Sequence, residues 1–389
     1  MNKLLLFLLF FLSGVTNDVL KINIVKSWSL IEIYCVFVFF VLAFSKKILL
    51  NKVIYSYISL LVGVILSLLL NLSSFSFEHY VTDVSSIGTT YGPRMVLSFL
   101  QMLFGLICII SSYSLIKASG ISNYEISNIL LMSISLFSLI GIIFLIMNSI
   151  GIQIPIIQSN EKSYGSYRLY SLSVEPQFAA LFISLGVAIS LHLKKKVLFI
   201  LNILALVLTL STTALVGLVI ATIYYIHKKY SIKYRIFIAP VIILSSVILI
   251  YLSIDKIQLF FNLMTTGENL DALARVKSIF VAYDLFKGNP MFGVGWGNFS
   301  FYFDWRGNEV ITNIGNLFLR IIVETGLVGF ILFIPILYWF YCLFKISNVE
   351  CKSYLIILLV YFMTNSTAFL QPVFWITTQY IYIISRQSK

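Results

Sequence analysis

The sequence predicts an all-α polytopic membrane protein of about twelve transmembrane helices, and three observations carry that expectation. Of 389 residues, 60% are hydrophobic and 11% charged, against about 25% charged in an ordinary soluble domain. A mean hydropathy of +0.98 with 33 Phe and 23 Tyr also excludes a disordered chain, because such side chains must be buried and lipid is the solvent that suits them. The apolar residues gather into segments of bilayer-spanning length, and the basic residues concentrate on alternate connections between them.

A helical crossing takes roughly 20 apolar residues. The first segment, 3–20, opens with Lys3 and the apolar run Leu4 to Leu12. These are signal-peptide features, but no small-x-small cleavage site follows, so a retained helix is expected. Segments 28–45 and 53–72 come next, separated by Lys46, Lys47 and Lys52; then 95–117, ending at Lys117, and 127–148. Segment 175–192 begins at Glu175-Pro176, proline fitting a first helical turn where its missing N–H costs nothing. The stretch Val197 to His227 is 31 residues with no charge before its end, too long for one upright crossing. It divides into 197–210 and 213–227 at Thr209-Leu-Ser-Thr-Thr213, a single tilted helix being the alternative. Segments 235–254, 314–344, 354–370 and 373–385 complete the count.

With the N-terminus inside, the inner connections hold sixteen basic residues against two acidic ones, Glu125 and Glu350. The rest of the chain is close to neutral, so the basic pI of about 9.4 reflects membrane orientation and needs no nucleic-acid partner. An even number of crossings places both termini inside. Cys35, Cys108 and Cys342 fall in predicted spans and Cys351 in an inner connection, so none is placed for an extracytoplasmic disulfide or a zinc site.

The inner connections are short and lysine-rich, and the chain contains no G-x-x-x-x-G-K-[ST], G-x-G-x-x-G or D-x-D. Neither a phosphate-cradling loop nor a carboxylate pair for a metal-bound nucleotide sugar is present, and no cofactor is expected. The outer side carries longer loops at 73–94, 149–174 and 255–313, the last of 59 residues. Function is therefore expected on the outer face of a single integral membrane domain spanning 1–389.

The 255–313 loop predicts a helix from Thr266 to Gly288, capped by Thr266, with Glu268 and Asp271 in its first turn and Gly288-Asn-Pro290 as its stop. At 100° per residue Asp271, Arg275 and Ser278 share one strip, Lys277 and Asp284 another, and the remainder is apolar, so the helix is mostly buried or lies in the interface. Arg275 then either pairs with Asp271 four residues away or serves an anion site. In Gly288-Asn-Pro-Met-Phe-Gly-Val-Gly-Trp-Gly-Asn298, Gly293, Gly295 and Gly297 allow backbone amides close to a ligand. Trp296, Phe299, Tyr302 and Trp305 offer faces on which sugars stack, or serve as ordinary interfacial aromatics.

Arg320 and Glu324, four apart in an apolar stretch, either satisfy each other or form part of a site. Gly326 and Gly329 are expected to permit close helix packing. Arg168 and Glu175 sit beside the outer mouth of a span, where snorkelling is the alternative for Arg168, as it is for Arg94. Gathered on one face, Arg94, Arg168, Arg275 and Arg320 suit a pyrophosphate.

Arg168 to Phe178, Thr209-Leu-Ser-Thr-Thr213, Arg275 with Asn289-Pro-Met-Phe-Gly-Val-Gly-Trp-Gly-Asn298, and Asn316 with Glu324-Thr-Gly-Leu-Val-Gly329 resemble the ordered motifs of bacterial O-antigen polymerases (Wzy) and O-antigen ligases. The resemblance implies a metal-independent, GT-C-like glycosyltransferase of the bacterial inner membrane, both termini cytoplasmic, with a long structured periplasmic loop at 255–313. Its donor and acceptor are implied to be undecaprenyl-pyrophosphate-linked glycans, with a Wzz-like chain-length regulator and membrane lipid as further partners. Ligases of this family carry a His immediately before the Asn that matches Asn316, where this chain has Gly315. The histidines are His79, His192 and His227, the last two on the predicted inner side, which favours polymerase over ligase. Implied roles are charge stabilisation by Arg168 and Arg275, then Arg320, and proton acceptance by Glu175, with Glu324 and Asp304 behind it. Arg94, Trp296, Asn298, Asn316, Arg320 and Glu324 are the expected substrate contacts. A twelve-helix transporter or flippase is the reading from another class, disfavoured because two similar halves are not evident.

Overall fold

A computed structural model describes residues 2–15, 22–23, 27–71, 91–152, 168–173, 175–230, 270–299 and 314–387. Among these residues there are twelve α-helices. They are α1 (Asn2–Ser13), α2 (Leu30–Phe44), α3 (Lys52–Leu70), α4 (Tyr91–Ala118), α5 (Asn123–Ser149) and α6 (Pro176–His192). After them come α7 (Lys196–Leu208), α8 (Thr212–Lys229), α9 (Leu270–Gly288), α10 (Leu317–Ile346), α11 (Val349–Thr364) and α12 (Pro372–Gln387). The β-structure described is a two-residue ladder, Ile22–Asn23 against Ser27–Trp28.

Eleven of the twelve predicted apolar segments coincide with a helix; the segment at 235–254 lies outside the described residues. Four stretches are long and apolar enough to cross a membrane: Lys52–Leu70, Ser98–Ala118, Asn123–Ser149 and Leu317–Ile346. The chain is a multi-pass membrane protein. The predicted division of 197–227 is present, since α7 ends at Leu208 and α8 begins at Thr212. Thr209 closes one helix, Leu210 takes φ +49°, and the Ser211 hydroxyl accepts from the Ala214 amide to open the next. Side-chain caps recur where polar residues precede apolar runs: Asn51 accepts from Ile54, Ser122 from Glu125 and Asn348 from Cys351. Ser29 and Glu32 form a reciprocal capping box on α2, satisfying amides that lipid could not.

The lysine-rich connections gather at one end of the bundle. There Lys3 pairs with Glu125 at 2.8 Å, Lys229 with Glu350 at 2.6 Å, and Ser347 meets Ser385 at 3.0 Å. At the opposite end Ser173 donates to the Gly14 carbonyl at 2.8 Å, and Asn71 to that of Gly293 at 3.2 Å. The start of α1 and the end of α12 thus lie at the same end of the described bundle. Helix α1 is built into the bundle, Phe10 meeting the Tyr380 ring edge-on at 6.2 Å.

Burial identifies the central helices. From Pro372 to Ser385 every residue of α12 is buried, and α6 is buried almost throughout from Pro176 to Ser190, as expected of helices apolar on all sides. Trp375 anchors the core, its ring 5.0 Å from Tyr57 and 4.9 Å from Phe369 and its indole N–H donating to the Phe369 carbonyl. Helices α3 and α10 cross closely at Gly63 and Gly329, where a Cβ on Gly63 would stand 3.0 Å from the Gly329 Cα.

The Lys229–Glu350 bridge ties α8 to α11, with His192 Nδ1 3.9 Å from Glu350. Burial pushes the Glu350 carboxyl up, but the hydrogen bonds from Lys229 and from its own backbone amide, with the charges of Lys229 and His192, together hold it below the usual carboxylate range. Glu350, in turn, holds the Lys229 ammonium above its ordinary value. A depressed carboxylate stabilises above its unfolded pKa and loses that contribution as pH falls through the folded value; the raised lysine loses its own only at strongly alkaline pH. Glu350→Gln is therefore expected to lower the melting temperature by a constant amount between about pH 6 and 9, the gap closing below about pH 4. A gap that persists undiminished in acid would show that charge at Glu350 contributes nothing.

Candidate functional site

Helix α10 is broken in its N-terminal third, and the glycine-rich segment after α9 repairs the break. Gly326 takes φ 69° and ψ −170°, a conformation almost confined to glycine. Backbone groups freed there pair with the turn-forming run 290–295. The Val294 and Gly295 amides donate to the Val323 and Glu324 carbonyls at 3.0 Å each, and the Leu327 and Val328 amides donate to Pro290 and Met291 at 2.9 and 3.1 Å. The two backbones are so close that a Cβ on Gly293 would lie 2.5 Å from the Val323 oxygen. Ser67 of α3 donates to the same Glu324 carbonyl at 2.7 Å. Gly293 and Gly326 thus serve the join. The expectation that the glycines free amides for a ligand is corrected at 294, 295 and 297, whose N–H groups are engaged internally, and Gly326 serves a break, leaving helix packing to Gly329.

Beside this join lies a buried charged group. Arg320 Nε donates to Glu324 Oε2 at 3.0 Å, with 5% and 1% of their side chains exposed. The same carboxylate oxygen accepts the Gly297 amide at 3.0 Å, and the guanidinium sits 4.8 Å above the Trp296 ring, a favourable cation–π arrangement. Sequence spacing had left open whether the pair satisfies itself, and largely it does. Among the described residues, however, Arg320 Nη1, Trp296 Nε1 and Asn298 Oδ1 are buried without a hydrogen-bond partner, while the Asn298 amide donates to the Val294 carbonyl at 3.0 Å.

Helix α9 lies against the first turns of α10. Ala282, Val294, Phe299, Ile314 and Val323 form a small apolar core there, whereas Ile279, Phe280 and Tyr283 are exposed, the pattern of a helix lying in an interface. Ser278, on the predicted Asp271–Arg275 strip, is buried. It lines a cavity of about 650 Å³ between α9, α10 and the end of α11, together with Gly315, Asn316, Ile322, Met363 and Thr364. Asn316 caps α10 by accepting from Leu319 at 3.1 Å and donates to the Met363 carbonyl at 3.4 Å. A Cβ on Gly315 would meet only the Thr364 oxygen, at 3.4 Å, so packing leaves room there for a side chain.

Arg168 and Glu175 stand at the same end of the bundle, Arg168 in the irregular chain before α6 and Glu175 at its N-cap. Arg168 grips the end of α7, Nε donating to the Thr209 carbonyl at 3.1 Å and Nη2 to that of Leu210 at 3.3 Å, while Leu169 N donates to Leu208 at 2.9 Å. A guanidinium is well placed against the negative end of a helix. Glu175 occupies the N-cap of α6 but makes no side-chain cap; its carboxylate accepts from the Gln177 side chain. The Gln177 carbonyl accepts the Tyr361 hydroxyl at 2.8 Å. Tyr361 is one turn from Thr364 of the cavity on α11, and sequence reasoning passed it over as one more aromatic in a span, although a buried Tyr hydroxyl requires a partner.

The structure therefore brings Trp296, Asn298, Arg320 and Glu324 into one buried group and sets Asn316 at the cavity. Arg168 is held against the end of α7 and Glu175 at the N-cap of α6. Arg94 and Arg275 lie on α4 and α9, but their side chains, and all of Asp304, fall outside the described residues.

Residues 197–334 match a family model described as O-antigen ligase (Wzy_C). No curated protein matches the chain. The matched range runs from α7 through the N-terminal half of α10 and takes in Arg275, the glycine-rich join, the Arg320–Glu324 pair and Asn316; Arg94, Arg168 and Glu175 precede it. Through the Wzy_C domain at residues 197–334, the sequence resemblance to the O-antigen polymerase/ligase family is supported.

Proposed function

We propose that the protein polymerises undecaprenyl-pyrophosphate-linked oligosaccharide repeat units on the periplasmic face of the bacterial inner membrane. The family match supports processing of lipid-linked glycans, and the observation that carries polymerase over ligase is Gly315. It stands beside Asn316 in the cavity wall, where the resembling ligases carry His, and packing does not demand a glycine.

In this reading the mostly apolar cavity beside α9 receives the isoprenoid end of a lipid-linked substrate near its pyrophosphate. The acceptor sugar hydroxyl attacks the anomeric carbon of the donor glycan, the bond from that carbon to the pyrophosphate oxygen breaks, and undecaprenyl pyrophosphate leaves. Arg275, three residues before Ser278 on α9, and Arg168 supply positive charge to the departing group, a contribution of several kcal/mol in a water-poor site. Arg94 adds to the same field. Glu175 is the favoured acceptor of the hydroxyl proton, since Glu324 is already engaged by Arg320 and the Gly297 amide. Arg320 then acts mainly by holding Trp296 and the glycine-rich join. A pre-activated donor makes ATP and metal-bound nucleotide sugars unnecessary, and a GT-C-like arrangement suits such chemistry.

The test is deletion of the gene followed by gel analysis of the surface polysaccharide, with complementation by wild type and by Arg275→Ala. Loss of the ladder with one repeat unit still on the lipid core supports a polymerase. Loss of that single unit as well points to a ligase or a flippase. Arg275→Ala is expected to give no polymer at unchanged protein level, and full-length polymer from it would remove Arg275 from the site.

A further inference from the structure

The connection from Glu175 to α11 involves two residues with no role so far. We propose that Gln177 and Tyr361 are positioning residues that aim the Glu175 carboxylate at the acceptor hydroxyl, a proposal that rests on the polymerisation reading above.

Glu175 is half-buried at the first turn of α6. Because it does not cap its own helix, nothing local to the backbone fixes its carboxylate. An unconstrained glutamate samples several rotamers, and a proton acceptor must instead be held within hydrogen-bond reach of one hydroxyl. The Gln177 side-chain amide donates to one carboxylate oxygen, Oε2, which leaves Oε1 for the substrate. Gln177 is itself located through its backbone, for its carbonyl accepts the hydroxyl of Tyr361 at 2.8 Å. Tyr361 is fully buried and belongs to α11, which one turn later presents Thr364 to the cavity. The position of Glu175 is thereby referred to the cavity wall through two hydrogen bonds.

The tyrosine hydroxyl is an expensive group to bury without a function, because phenylalanine would fill the same space with no polar atom to satisfy. Tyr361→Phe therefore deletes the link while keeping the ring.

The experiment uses full-length protein in liposomes with the lipid-linked repeat unit, measuring kcat and KM for Gln177→Ala, Tyr361→Phe, Glu175→Gln and the Gln177→Ala/Glu175→Gln pair. The expected result is a fall of about tenfold in kcat for Gln177→Ala with KM within about twofold, the signature of an interaction made in the transition state. Tyr361→Phe is expected to fall in the same sense by less, and both variants to melt like wild type. Adding Gln177→Ala to Glu175→Gln should cost nothing further, because the residue acts through the carboxylate. A raised KM at constant kcat, or the same fold-loss with and without Glu175, overturns the positioning role while leaving polymerisation intact. Wild-type rates from Glu175→Gln overturn both this proposal and the choice of proton acceptor, and absence of any polymer from wild-type protein overturns the reading beneath them.

Discussion

Glu324→Ala is expected to destabilise the protein by about 3–5 kcal/mol, the cost of leaving a buried charge without its partner. Arg320 is 4% exposed and already has one guanidinium nitrogen unpartnered among the described residues; without the carboxylate its Nε joins it, and so does the Gly297 amide. Arg320→Met/Glu324→Leu should recover more than half of that loss, because removing both charges removes the desolvation cost with them. Thermal unfolding in detergent measures both variants. A Glu324→Ala protein that melts with wild type would mean that water reaches the pair, and that the group is a solvated surface feature.

Gly326→Ala should be nearly as damaging through a different cause. The new Cβ would stand 2.2 Å from the Met291 carbonyl oxygen, and alanine disfavours the required φ and ψ by about 1–3 kcal/mol before any clash is counted. The run 290–295 must then leave α10, taking Gly297 away from Glu324 and Trp296 away from Arg320. Gly288→Ala is the matched control, since a Cβ there meets nothing within 4 Å. The expected result is loss of polymer and a lowered melting temperature for Gly326→Ala with neither for Gly288→Ala. If Gly326→Ala retains both, the break in α10 is not required.

The helices were legible in the chain because each rests on local information. Apolar length, a capping Ser or Asn, and lysines at alternate connections are read within twenty residues, and they located α2 to α8, α10 and α12 to within about four positions, whereas α1 ends at Ser13 and not at 20, and α11 runs Val349–Thr364 and not 354–370. The division after Leu208 was likewise visible in Thr209-Leu-Ser-Thr-Thr213, a polar interruption in a run too long for one crossing. The helix preceding Gly288 was signalled by its Gly-Asn-Pro stop. Arg320 and Glu324 announced themselves by their spacing in an apolar stretch.

Partnerships across long separations were not legible. Nothing near Gly293 states that its neighbour is the Val323 carbonyl, so its alternation with Gly295 and Gly297 suggested a ligand cradle when it serves a join in the backbone. Arg168 was read as a pyrophosphate-site charge or a snorkelling side chain, and neither reading included the carbonyls some forty residues away that it clasps. Tyr361 carried no local mark at all. Hydropathy, caps and charge asymmetry thus sufficed for a polytopic helical protein, because those preferences depend on the chain's exchange with lipid and water. Which amides stay free, which charges are buried, and which side chain steadies Glu175 were decided by tertiary structure, because a hydrogen bond inside a membrane bundle depends on what the fold brings within 3 Å.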